Sequence, residues 1–139
     1  MKMADTLTDL NTIFKKQTIT SYGFTRLLMA KLSLSNKATI YKNSFVSRVY
    51  ALAQKTEYAE LINDIGFKVS IDSVVSPEIN TAIATMQSFG MIAEHDSMTG
   101  EILILINDTM ACKIISEYTI ELSQIMDLFI DDLIKEGEE

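Results

Sequence analysis

Residues 76–107 read SPEINTAIATMQSFGMIAEHDSMTGEILILIN, and the reading of this stretch decides the fold. It opens as a helix. The Ser76 hydroxyl can accept from free backbone N–H groups, Pro77 has its φ already set for the first helical position, and Glu78 places a negative charge on the positive helix end. Ile79, Ala82, Ile83, Met86 and Phe89 follow at helical spacing, and Gly90 supplies the stop. Residues 91–94, the polar turn His95-Asp96-Ser97-Met98-Thr99-Gly100 and an expected strand over 101–106 then read as a β-hairpin with a six-residue loop. One helix followed by one hairpin, with helical sequence on both sides, predicts a mainly α, α+β chain.

Upstream, a first helix is expected over 5–16, capped by Asp5 or Thr6, with Leu7, Leu10, Ile13 and Phe14 on one face. A second fits 19–33, where Tyr22, Leu27, Leu28 and Leu32 are apolar and Gly23 weakens the first turn. Residues 33–36 (Ser-Leu-Ser-Asn) form a break, because Ser and Asn side chains compete for backbone hydrogen bonds. A third helix is expected over 44–55 with Phe45, Val49, Tyr50, Leu52 and Ala53 inward. A short fourth spans 57–65, burying Tyr58, Leu61, Ile62 and Ile65 and stopped by Gly66 in the left-handed conformation. Phe67-Lys68-Val69-Ser70-Ile71-Asp72 alternates apolar and polar residues, which suggests an extended segment with one buried face.

Downstream, Asn107-Asp108-Thr109 can cap a final helix of about 25 residues, roughly 37 Å long at 1.5 Å per residue, within the C-terminal segment 108–137. Ile115, Tyr118, Leu122, Ile125, Phe129 and Leu133 form its apolar stripe. A helix that long outruns a domain of this size, so the stripe is expected to pair with a second copy, making a homodimer. The alternative is a helix lying across its own domain.

The 139 residues make one domain with enough apolar content, 47%, to bury a core. The longest aliphatic run, residues 102–106, is far short of a membrane span, and the acidic, apolar-poor start argues against a secretory signal. The single Cys112 excludes an internal disulfide and reads as a small buried hydrophobe. A cytoplasmic protein is expected. No cofactor is implied, since the glycines at 23, 66, 90, 100 and 137 never cluster into a phosphate loop. His95 falls in the hairpin turn, without a serine or carboxylate in a recognisable motif. Asp131, Asp132 and the acids at 136, 138 and 139 read as a solvated helix end, because adjacent helical residues point apart. Catalysis is not expected.

The net charge of -7 conceals a sharp division. Residues 1–56 hold nine bases and two acids, for +7, whereas residues 57–139 hold three bases and seventeen acids, for -14. No Lys or Arg lies between Lys68 and Lys113.

The order of elements, helices then the helix at 76–90, the hairpin at 91–106 and a long last helix, resembles the winged helix-turn-helix superfamily over residues 43–107. That resemblance implies a recognition helix at 76–90, a wing at 91–106 and a dimerising C-terminal helix over 108–137. The chain departs from the pattern in two ways. The turn at 67–75 is long for a helix-turn-helix, and neither the helix at 76–90 nor the hairpin at 91–106 carries a base, although phosphate neutralisation supplies most DNA affinity. A second stretch, KLSLSNKATIYK at 31–42, is similar to the middle of bacterial helix-turn-helix motifs, with one residue too many before Thr39-Ile40-Tyr41.

Three functions follow as expectations. The first is a non-enzymatic regulatory or protein-interaction module, a winged-helix-like dimer without the usual DNA contacts. The second is a small prokaryotic or phage DNA-binding regulator that holds nucleic acid through Lys15, Lys16, Arg26, Lys31, Lys37, Lys42 and Arg48. The third is that the basic and acidic halves neutralise one another. A continuous exposed basic patch would separate the second from the third.

Overall fold

The computed structural model describes residues 19–59, 61–96 and 98–138, with side chains through Lys135. The helix expected at 5–16 lies outside the described residues. Helix α1, Ser21–Leu34, starts where the Thr20 hydroxyl accepts from the Gly23 N–H at 3.0 Å. It ends in a Schellman arrangement: Asn36 turns to φ 63°, and the Lys37 and Asn36 N–H groups donate back to the Leu32 and Ser33 carbonyls. Asn tolerates that left-handed position better than most residues, so the polar break has a geometric cause.

Strand β1, Thr39–Tyr41, follows at once and leads into helix α2, Lys42–Ala53. This strand lies in the stretch 31–42 that resembles the middle of a helix-turn-helix. Its three residues are too few to show a period, and its place is fixed by a partner 60 residues away.

Between Thr56 and Ile65 the expected fourth helix does not form. Only Thr56–Tyr58 makes a 3-10 turn, and the following N–H groups bond three residues back. The apolar face is nevertheless right, since Tyr58, Leu61, Ile62 and Ile65 are all buried. A segment this short has little helical stability of its own, so packing sets its backbone. Gly66 is not left-handed. Its N–H donates to the Glu78 carboxylate at 2.8 Å, and a Cβ there would meet the same oxygen at 3.2 Å.

The alternating segment becomes β2, Lys68–Val69, paired antiparallel with β3, Val74–Val75. The buried face expected of it is absent. Val69 is 57% exposed and Ile71 fully so: one strand, β3, lies against α2, and Phe67 and Val74 pack against the core, but the Val69 and Ile71 side chains stay outside that contact.

Helix α3, Pro77–Ser88, matches its sequence signals. Ser76 Oγ accepts from the Ile79 N–H, Ile79, Ala82, Ile83 and Met86 are buried, and Gly90 ends the helix at φ 72°. The hairpin follows as β4, Ile92–Asp96, and β5, Glu101–Ile104, joined by four residues where the sequence suggests six. The strands pair Ile92 with Ile104 and Glu94 with Ile102, with a bulge between Glu94 and Asp96. β1 pairs with the other side of β5, Ile40 opposite Ile102, giving a three-stranded antiparallel sheet of order β1-β5-β4.

The single C-terminal helix expected over 108–137 is instead two helices. Helix α4, Asp108–Ser116, and helix α5, Ile120–Glu138, are separated at Glu117–Thr119. The Thr119 hydroxyl accepts from the Leu122 N–H and so starts a new helix. Glu117 is drawn aside by Arg26, and the Tyr118 phenol sits over Gly23, where a Cβ would come within 2.8 Å of it. The bend folds α5 back over α1 and α2, and Phe129 enters between Phe24 and Tyr58. The chain is thus an α+β fold in which the sheet and α5 close the core built on α1. Among the described residues no helix is long and apolar enough to cross a membrane.

Candidate functional site

Of the bases expected to hold nucleic acid, the structure pairs two with acids and leaves three without an acidic partner among the described residues. Lys15 and Lys16 lie outside the described residues. Arg26 Nη1 binds Glu117 Oε1 at 2.5 Å, with a second contact from Nη2 at 3.4 Å. This bond holds the Glu117 carboxyl below its ordinary range and raises the guanidinium. Lys31 is only 8% exposed, and its ammonium meets Asp127 at 2.6 Å. Lys55 reaches Asp132 at 3.5 Å. Each of these pairs joins a base of the first half to an acid of α5 or the bend before it, so the charge division of the sequence is partly cancelled inside the fold. Lys37, Lys42 and Arg48 have no acidic partner among the described residues. They come from the end of α1's cap, the start of α2 and its second turn.

Asp132 does more than the solvated helix end that the sequence suggests. Besides Lys55 it accepts from the Tyr58 hydroxyl at 2.5 Å, which pulls its carboxyl below the ordinary value, while burial and that same bond push the Tyr58 phenol up. Tyr58 is 2% exposed, so its O–H has no easy alternative in water. No local pattern could have revealed this pair, whose members are 74 residues apart.

The bond also sets a pH dependence. An acid whose pKa is depressed on folding contributes stability that is present above about pH 4, its unfolded value, and is lost as pH falls through the folded value. Asp132→Asn is therefore expected to lower the unfolding free energy at pH 7 by about 1–2 kcal/mol, the modest end for a bond to a charged acceptor. At pH 3 the difference from the parent chain should shrink. Urea denaturation at the two pH values measures it, and an undiminished difference at pH 3 would assign the loss to packing.

The exposed side of α3 carries Thr81, Ala84, Gln87 and Ser88, continued by Phe89 at 71% exposure. On the hairpin, Glu94, His95, Asp96 and Met98 are exposed. Contrary to its expected place in the turn, His95 stands on β4 and pairs through Nδ1 with Glu101. Cys112, expected to be buried, is exposed on α4.

The stripe expected to form a dimer seam faces inward. Leu122, Phe129 and Leu133 are buried, and Ile115, Tyr118 and Ile125 pack partly buried against the same core. The bend at Glu117–Thr119 is the reason, since it turns the apolar side of α5 onto α1 and α2. The outer side of α5 keeps two large apolar side chains, Ile120 and Leu128.

A groove beside α3 and α4 is bordered by Tyr22, Phe89, Met91, Met110 and Lys113. A smaller pocket between β1, α2 and α5 has Lys37 and Arg48 in its wall. No group of three or more His, Cys, Asp or Glu side chains that could hold a metal ion occurs among the described residues. Comparison with protein-family models, with curated proteins and with solved structures returns no match for this chain.

Proposed function

We propose that the chain is a non-enzymatic regulatory or protein-interaction module with a winged-helix-like core, acting in the cytoplasm and able to associate with a second copy. The observation that carries it is the surface of α3 and the β4–β5 hairpin. Thr81, Gln87, Ser88, Phe89, Glu94 and Met98 are presented to solvent there with no Lys or Arg among them. Such a face lacks the cations a phosphate backbone requires and offers instead one exposed aromatic and one exposed thioether amid small polar groups. The winged-helix-like reading is supported by a capped helix followed by an antiparallel hairpin, with an upstream strand on the hairpin's far side. The 23 residues between α2 and α3, with their own small hairpin, remain its chief departure. Association with a second copy through the C-terminal helix would use the outer side of α5, where Ile120 and Leu128 are exposed.

Co-purification of the full chain from its native host, with and without nuclease, tests the reading. A protein partner should persist after nuclease treatment and in about 0.5 M salt, where exposed charges are screened. Phe89→Asp should release it. Loss of all co-purifying material on nuclease treatment would overturn the reading.

That result would favour a DNA-binding regulator, for which one observation speaks: Lys37, Lys42 and Arg48 lie close in sequence and are free of acidic partners among the described residues. Changing all three to Ala should then reduce duplex affinity and the steepness of its salt dependence.

A further inference from the structure

The pocket between β1, the start of α2 and the distal part of α5 has a volume of about 140 Å³. Its floor is apolar: Leu32, Ile40, Phe45 and Leu133 are all buried. Its wall holds two cations, Lys37 and Arg48. Around the rest of the fold, bases that approach α5 or the bend before it are met by acids, as Arg26, Lys31 and Lys55 are. Here none is supplied by the described residues. Arg48 is steadied through Nε on the Ser44 carbonyl at 3.3 Å and through Nη1 on the Leu133 carbonyl at 3.5 Å. Those acceptors fix the guanidinium plane without neutralising it.

Volume and lining together select a class of ligand. An apolar cavity of about 150 Å³ accommodates one benzene ring, so this pocket admits a single ring or a short alkyl chain and not a nucleotide. Inorganic phosphate would gain nothing from the floor, and a neutral hydrocarbon would gain nothing from the cations. A guanidinium fork matches a carboxylate in two parallel hydrogen bonds, and a nearby ammonium adds a point charge. We propose that this pocket binds a small amphipathic monocarboxylate of about six to nine heavy atoms, its apolar end on Leu32, Phe45 and Leu133 and its carboxylate on Arg48 and Lys37. The site is separate from the α3–hairpin face and does not depend on what binds there.

The test is an NMR titration of the full chain with benzoate and with hexanoate at constant ionic strength. Benzyl alcohol, hexanol and inorganic phosphate serve as comparisons. Saturable binding with a Kd on the order of 1 mM is expected for so small a ligand. Amide shifts should concentrate at residues 37–48 and 131–135. The alcohols and phosphate should bind at least about tenfold more weakly, since each satisfies only half of the site. Lys37→Gln, at an exposed position, should leave the fold intact and weaken benzoate about threefold, and Arg48→Gln about tenfold, with Arg48→Lys recovering part of the loss. Equal binding of acid and alcohol would reveal a plain apolar crevice, and equal binding of phosphate a generic cationic patch. Either result, or affinities unmoved by both substitutions, would overturn the proposal.

Discussion

Phe129→Ala is expected to lower the unfolding free energy by about 3–5 kcal/mol, the range found when a fully buried phenylalanine is emptied to a methyl. The ring is 0% exposed. It meets Phe24 edge-to-face at 5.5 Å and Tyr58 at 5.1 Å, so it joins α5 to α1 and to the turn after α2. Removing it forfeits the transfer free energy, two aromatic contacts and the fill of a site that both neighbours help to define. Leu128→Ala, one residue earlier, is the control. That side chain is 58% exposed on the outer side of the same helix, and its loss should change stability by no more than about 0.5 kcal/mol. Urea denaturation at neutral pH compares the three chains, provided their denaturant slopes agree. A cost below about 1 kcal/mol at Phe129 would mean that α5 does not close the core of its own chain.

What the sequence made legible depended on whether a cause was local. The ends of the helix at 77–88 were legible, because Ser76, Pro77, Glu78 and Gly90 each act on backbone within a turn of themselves, although Phe89, which shares its apolar spacing, is 71% exposed. Burial was legible even where conformation was not: Tyr58, Leu61, Ile62 and Ile65 enter the core on a backbone of turns instead of a helix. Hydrophobic spacing reports which side chains seek cover, and several backbones can provide it. Strand β1 was hidden because three residues carry no period and the partner strand is remote. Ile71 misled in the opposite direction, since alternation implies a buried face only when another layer lies over it.

The candidate site was less legible than the fold. A list of bases cannot show that Arg26, Lys31 and Lys55 are met by Glu117, Asp127 and Asp132, because those pairings exist only after the chain bends between α4 and α5. The bend coincides with Thr119, whose hydroxyl caps α5, yet the helical spacing of apolar residues continues across it. Lys37 and Arg48 were picked out as bases. Their position above an apolar floor was not, since that floor comes from α1, β1, α2 and α5 together.

The chain ending at Glu117 is expected not to fold. It would lack Leu122, Met126, Phe129, Ile130 and Leu133, all buried in the full chain, together with the Tyr58 hydroxyl's acceptor on Asp132. At about 1.5–3 kcal/mol for each large apolar side chain, the five contribute roughly 7–15 kcal/mol. That equals the whole stability of about 5–15 kcal/mol available to an ordinary domain. Circular dichroism should show lost cooperativity, and sedimentation an associated or insoluble species. A C-terminal helix that served only as a dimerising arm predicts the opposite, a folded and soluble monomer, because its removal would uncover no core. Ile120→Glu with Leu128→Glu completes the distinction by altering only the outer side of α5. This double variant should remain cooperatively folded, and any change in its sedimenting mass then reports association through that side alone. A folded monomer from the truncated chain would show that the inward stripe is not needed by the core, and the placement of α5 over α1 and α2 would be wrong.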